Sequence, residues 1–239
     1  MSEITRITKA STVILVRAHE NGGPEVLMTR RPQEMKTLGG FLVFPGGAVE
    51  KEDWSDAMMA RCRGLLASEA QKLLGAQIPP EMALGHWVAA ARELFEETGI
   101  YLFVNGTGSF PGPKQLGSTK RLAVKRKTLA DGRLTFPQLL ASEKLFCDLG
   151  RLGYLFHRVT PEKYPVRFDT RFYVAALPAD QKPLAASEEV AESLWISPEA
   201  ALERSERGQF PMMPPTIIAL RTLADHGSWD NLRSAYHLV

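Results

Sequence analysis

Cysteine is scarce in this chain, with two residues, Cys62 and Cys147, in 239. Two cysteines so far apart make neither a metal-ligand spacing nor a disulfide framework. Long apolar runs are absent too: no stretch reaches the ~18 residues of a membrane span. The opening MSEITRITKASTVILVRAHENG holds only the short apolar run Thr12 to Val16, too short for a signal-peptide core. An excess of charge is also missing, because 29 Lys and Arg nearly balance 27 Asp and Glu and leave a net +2. That balance argues against nucleic-acid binding driven by bulk charge. No internal repeat or low-complexity tract interrupts the chain. A soluble, cytoplasmic protein without membrane or nucleic-acid partners is the expectation.

What is present is an ordinary globular composition, 44% hydrophobic and 23% charged. The length suits one elaborated domain over residues 1–239. Thr12 to Arg17 and Glu25 to Arg31 read as strands joined by the turn Asn21-Gly22-Gly23-Pro24, and Gly40 to Phe44 as a third strand cut off by Pro45-Gly46-Gly47. Trp54 to Leu74 reads as one helix, capped by Asp53 or Ser55, and Glu81 to Thr98 as another that stops at Gly99. Ile100 to Val104 follows as a strand, Gln115 to Leu129 and Phe136 to Phe146 as helices. Tyr154 to Val159, Thr170 to Leu177 and Ser193 to Ile196 read as strands, Ser197-Pro198-Glu199 as a helix start, and Thr216 to Asp225 with a further segment from Trp229 as helices. Strands before, between and after helices give a mixed α/β sheet protein.

The chemistry concentrates in Ala89 to Ile100, AAARELFEETGI. At about 100° per residue, with Glu93 at 0°, Glu96 falls near 300° and Glu97 near 40°. Three carboxylates then share an arc of about 100°, opposite Trp87, Val88, Ala91, Leu94 and Phe95. Such like charges repel, and a hard divalent cation such as Mg²⁺ or Mn²⁺ would neutralise them while bridging to phosphate. A bare E-x-x-E-E is also what an ordinary solvated acidic face looks like, and Arg92 pairing with Glu96 is common on helices. A second element is Phe44-Pro45-Gly46-Gly47, a glycine loop that either lets backbone approach a phosphate or metal, or serves as a plain turn.

Taken together, Gly47 and Arg92-Glu93-Leu94-Phe95-Glu96-Glu97-Thr98-Gly99-Ile100 resemble the Nudix hydrolase signature: glycine, five residues, Glu, seven residues, then R-E-U-x-E-E-x-G-U, with U apolar. The second half matches at every fixed position. In the first half the acidic position falls on Asp53, and the arginine position on Arg61, which Cys62 follows. The arginine of the motif is Arg92, so the box carries an insertion of 92 − 61 = 31 residues. Such an insertion adds little closure entropy. An interrupted box of this kind resembles the peroxisomal coenzyme A diphosphatase branch of the family. Leu27-Met28-Thr29-Arg30-Arg31-Pro32, Lys36, Gly40 and Phe44 to Gly47 are similar to that branch's upstream motif, LLTxRSxxxRxxxGxxxFPGG, departing from it at Met28, Pro32 and Lys36.

The resemblance implies an α/β/α sandwich around a mixed sheet, with a helical insertion over 54–84 and a helical tail over 211–239. It implies a hydrolase that cleaves a diphosphate bond in a small-molecule nucleoside diphosphate, with Mg²⁺ or Mn²⁺. Glu93, Glu96, Glu97 and the Gly47 carbonyl would hold metal. Glu93 or a later acid such as Glu97 would take a proton from water, and Arg92 would orient the carboxylates. Arg31, Lys36, Gly46 and Gly47 would meet the substrate, with plain surface charge the alternative for Arg31 and Lys36. Asp53 is a further metal contact or a helix cap, with Glu50 a comparable candidate. Glu188, Glu189 and Glu192 offer a further acid or a solvated loop. The basic run Lys114, Lys120, Arg121, Lys125, Arg126 and Lys127 reads as a solvated helix face, with RNA or the 3′-phosphate of coenzyme A as alternatives. Arg167 to Phe172 lines a pocket or an edge strand, and His86, His157, His226 and His237 show no ligand spacing. The tail packs in cis or across the two-fold of a homodimer. Three functions follow: cleavage of coenzyme A or acyl-coenzyme A, cleavage of ADP-ribose or another nucleoside diphosphate, or ligand sensing without turnover. A pure binder has no need of the full charge cluster, and no helix-turn-helix is evident after residue 200.

Overall fold

Strand β1, Ile7–Ala18, buries both of its faces, and that property organises the molecule. The computed structural model describes residues 7–35, 37–112, 119–184 and 190–238. After β1 come β2 (Pro24–Arg30), β3 (Leu42–Val43), β4 (Gly46–Ala48), a 3₁₀ turn at Lys51–Trp54, α1 (Asp56–Met59), β5 (Cys62–Arg63), α2 (Ala67–Leu74) and α3 (Pro80–Thr98). They are followed by β6 (Phe103–Val104), α4 (Thr119–Ala130), α5 (Phe136–Ser142), β7 (Phe146–Asp148), β8 (Gly153–Val159), β9 (Arg167–Ala176), β10 (Glu192–Ile196), α6 (Pro198–Glu206), α7 (Pro214–Ala224) and α8 (Trp229–Ala235).

The main sheet runs β10-β2-β1-β9-β8, with β3 on β2 and β4 on β1. The β1–β9 pair is parallel, from Ile7 opposite Arg167 to Val16 opposite Ala176, and the other pairs are antiparallel. Because side chains alternate along a strand, Val13 and Leu15 enter one core with Trp87, Val88, Ala91, Leu94 and Phe95 of α3. Ile14 and Val16 enter the other with Ala219, Leu220 and Leu223 of α7 and Leu232 of α8. The result is an α/β/α sandwich, and the tail packs in cis as its second helical layer. Among the described residues no helix is long and apolar enough to cross a membrane.

Local reading of the chain fails where distant strands claim residues. The helix expected over Trp54 to Leu74 is broken: Ser55 caps α1 by accepting from the Met58 amide, then Cys62 and Arg63 leave the helix to pair in parallel with Cys147 and Asp148. Gly64 turns the chain at φ +78°, where an added methyl would meet the Gly150 nitrogen at 2.6 Å. Phe103 pairs with Cys147 on the other side, making a second small sheet. For the same reason the helix expected to reach Phe146 stops at Ser142, and the strand expected from Ile100 narrows to Phe103–Val104. The glycine loop, expected as a turn, resumes as β4, with Gly47 opposite Ser11 of β1. Of the helix expected over Gln115 to Leu129, residues 115–118 lie outside the described ones. Cys62 and Cys147 face each other as free thiols, and burial, with the charge of Asp53, pushes Cys62 up to about 12.

Candidate active site

Helix α3 begins with Pro80 at its first turn, where a missing N–H is harmless. Its apolar side is buried in the core shared with β1, so its opposite side, carrying Glu93, Glu96 and Glu97, lies toward the β4 loop. The Gly47 backbone packs directly on Glu93: a methyl at Gly47 would lie 2.6 Å from the Glu93 Cδ. Only glycine allows that approach.

Arg92 is the hub. Its Nε donates to Asp53 Oδ1 at 2.9 Å, and its Nη2 to Asp53 Oδ2 at 3.0 Å and to the Ala48 carbonyl at 2.8 Å. Nη1 donates to Glu93 Oε1 at 2.7 Å and Glu96 Oε2 at 3.2 Å. A guanidinium has five N–H bonds in a fixed fork, and all five are engaged. Burial opposes the Arg92 charge, but the hydrogen bonds and charge of Asp53, with Glu93 and Glu96, outweigh it and hold Arg92 protonated. Asp53 is 1% exposed and also accepts from the Glu50 amide at 2.9 Å. Ser55 caps α1, while the Asp53 carboxylate closes a capping box on the 3₁₀ turn through the Glu50 amide and also faces Arg92.

The carboxylates of Glu93, Glu96 and Glu97 are largely buried. Burial pushes Glu96 up to about 7 against the pull of Arg92, helped by the charges of Glu93, Glu50 and Asp53. A carboxylate so raised gains from any cation that arrives. The donor set is hard oxygen, with Glu93 and Glu96 converging on one nitrogen of Arg92, and this chemistry fits Mg²⁺ or Mn²⁺. No three acidic, histidine or cysteine side chains among the described residues are closed into a finished metal cage.

The remaining expected residues are scattered. Gly46 sits on β1, opposite Thr12. Arg31 follows β2, with its backbone bonded to Phe41 and Gly40; its buried Nε has no hydrogen-bond partner among the described residues. Lys36, Glu188, Glu189 and Lys114 lie outside the described residues, as does the Lys120 side chain. Glu192 pairs with Arg30 at 3.2 Å on the surface, at the edge of β2 and β10. The basic run is not simply a solvated face. Arg121 and Lys125 pair with Glu143 after α5, and Arg126 donates to the Glu96 carbonyl on α3. The partners lie about 20 to 30 residues away, so nothing local in the sequence announces them. His86, without ligand spacing, is buried against Ser11, whose hydroxyl meets its Nδ1 at 3.1 Å. From the Arg167 to Phe172 stretch, Asp169 binds Arg171 at 2.5 Å and also His157.

Residues 56–223 match the family of the NUDT19 Nudix domain. The chain is 28% identical over 242 residues to acyl-coenzyme A diphosphatase NUDT19 of Gallus gallus, covering 87% of this chain and 63% of that protein. It is 26% identical over 205 residues to nudix hydrolase 7 of Caenorhabditis elegans, covering 86% and 57%. The chain therefore spans about three fifths of the length of the curated relatives it matches. A crystal structure of a NUDIX hydrolase from Alicyclobacillus acidocaldarius is similar over 97% of both chains, with a TM-score of 0.78 and 29% identity.

Proposed function

Because the chain belongs to the NUDT19 Nudix domain family, we propose that it is a metal-dependent hydrolase cleaving the diphosphate bond of coenzyme A or acyl-coenzyme A. The observation that carries this reading is the Arg92 hub: despite the 31-residue insertion, Glu93 and Glu96 are held on one guanidinium beside the Gly47 backbone. The resemblance of residues 27–47 to the coenzyme A diphosphatase motif, and the name of the Gallus gallus relative, support the substrate.

Glu93, Glu96, Glu97 and the Gly47 carbonyl would hold the divalent ion, which when bound supplies charge for the diphosphate oxygens and acidifies water. Arg92 fixes one oxygen each of Glu93 and Glu96, so neither carboxylate has to be oriented at the moment of reaction. Glu93 or Glu97 accepts a proton as a water oxygen bonds to one phosphorus and the bridging P–O bond breaks. Arg31, whose buried Nε lacks a partner among the described residues, suits a phosphate oxygen. The products are (acyl-)4′-phosphopantetheine and adenosine 3′,5′-bisphosphate.

The test is product analysis with Mg²⁺ or Mn²⁺ on coenzyme A, acetyl-coenzyme A, ADP-ribose and diadenosine compounds, with Glu97→Gln as control. Adenosine 3′,5′-bisphosphate released from coenzyme A and lost in the variant is the expected result. Turnover of ADP-ribose alone overturns the substrate. No turnover by a folded protein overturns the enzyme, and a ligand sensor takes its place.

A further inference from the structure

A cavity of about 460 Å³ opens beside the last turn of α3, between that helix, α4 and the segment 179–184. Its size lies within the range of small-molecule sites, ~300–1,000 Å³. Phe95, Tyr101, Phe110, Leu122, Ala123 and Leu184 line it. Tyr101 stacks on Phe103 with ring centroids 5.0 Å apart and meets Phe110 edge-on, so one wall is aromatic and fixed. Leu184 is bound back to the helix end by its amide on the Thr98 carbonyl at 2.9 Å, which fixes the opposite wall.

Two of the lining's polar groups, Gln181 and Arg126, are engaged internally. Gln181 accepts from the Tyr101 amide at 2.9 Å and donates to the Tyr101 carbonyl at 3.0 Å. Arg126 donates to the Glu96 carbonyl. A nucleobase would need edge-reading donors and acceptors, and an apolar chain needs none. Asp180 offsets one of the two cations, Arg126 and Lys182, and the lining keeps a net positive charge, suited to a chain that is tethered to phosphate. The same Arg126 bond joins this cavity to the backbone of Glu96, so an occupant lies against the helix that carries the carboxylates.

Building on the coenzyme A reading, we propose that this cavity receives the acyl chain of acyl-coenzyme A and sets chain-length preference, with Ala123 and Leu184 as specificity-determining positions.

The experiment compares kcat/KM for octanoyl- against acetyl-coenzyme A, with Mn²⁺, in the unaltered protein and in Ala123→Trp. Leu184→Trp fills the cavity from the other wall should α4 not tolerate the first change. Val124→Trp, one residue on and exposed outside the lining, is the control. Each methylene buried can raise kcat/KM by up to about fourfold. The expected octanoyl-to-acetyl ratio is at least about tenfold in the unaltered protein and in Val124→Trp, and about one in the filled variants. An equal ratio in all four proteins overturns the proposal. If coenzyme A compounds are not turned over, the coenzyme A reading fails by itself, and calorimetry with S-octanoyl-4′-phosphopantetheine decides the cavity. Binding lost in the filled variants then upholds an acyl site; no binding, or equal binding, removes it.

Discussion

Arg92 and Asp53, 39 positions apart in sequence, meet in a bidentate, buried ion pair, Nε to Oδ1 at 2.9 Å and Nη2 to Oδ2 at 3.0 Å. Everything between leaves and returns to this pair. The insertion forms α1, β5 and α2, whose Met58 and Ala70 join the α3 core, so the excursion is packed rather than dangling. Its first residue, Trp54, closes the 3₁₀ turn that presents Asp53. A box interrupted in sequence is therefore continuous in space.

Removing the charge at one end of this pair strands the other in a buried site. Asp53→Asn is expected to lower unfolding stability by about 3 kcal/mol, the lower end for breaking a buried pair. Arg92→Lys keeps a cation but loses the fork, and turnover is expected to fall by about 100-fold. Urea denaturation and steady-state kinetics measure the two; wild-type stability in Asp53→Asn would sink the assignment of the pair as structural anchor.

Gly47→Ala places a methyl where the Glu93 carboxylate lies, 2.6 Å from Cδ. The carboxylate can swing away, so the melting temperature should change little while activity falls by at least about tenfold. Thermal melts beside kcat/KM separate the two effects. Full activity in Gly47→Ala would show that Glu93 does not need this position.

Metal should stabilise the protein, and more so at higher pH. Glu96, pushed up to about 7, holds a proton that a cation must displace. Mn²⁺ at 100 times its dissociation constant would add about 2.7 kcal/mol. The melting-temperature gain is expected to be larger at pH 8 than at pH 6 and smaller in Glu96→Gln. A gain independent of pH and of Glu96 would place the ion elsewhere.

His86 gives a dependence of the same sign without metal. Burial lowers its pKa to about 3, helped by the charges of Arg171 and Lys9 and opposed by Asp169. Below pH 6.5 the unfolded chain takes up a proton that the folded chain refuses until about pH 3. Stability should then fall by up to about 1.4 kcal/mol per pH unit across that window and be unaffected above it. Denaturation at pH 7.5, 6.5, 5.5 and 4.5, compared with His86→Gln, isolates this contribution; identical slopes in both proteins would refute it.

Helix α3 was legible because its apolar and acidic residues separate cleanly at helical spacing, and Gly47 because the motif counts to it. Asp53 was reached by the same counting, but counting could not choose between metal contact and cap. Its bidentate pairing with the Arg92 fork is tertiary and lay outside both readings. Cys62 and Arg63 sit in a stretch of helix-forming residues and were lost to that pattern, because their partners Cys147 and Asp148 are 85 positions on. Arg126 and Lys125 looked like one solvated stripe, since charge alone does not distinguish a residue facing water from one capping another helix's carbonyl.

The parallel pairing of β1 with β9 has a kinetic side. Ile7 finds Arg167, so 160 residues must be made and searched before the central strand gains that neighbour. Contacts of such separation slow folding. Until they form, β1 offers an open edge with apolar side chains on both faces, the state most exposed to mispairing. The Gly47 loop docks on the opposite edge of this strand, at Ser11, so β1 carries the glycine of the carboxylate pocket on one side and its most distant partner in sequence on the other.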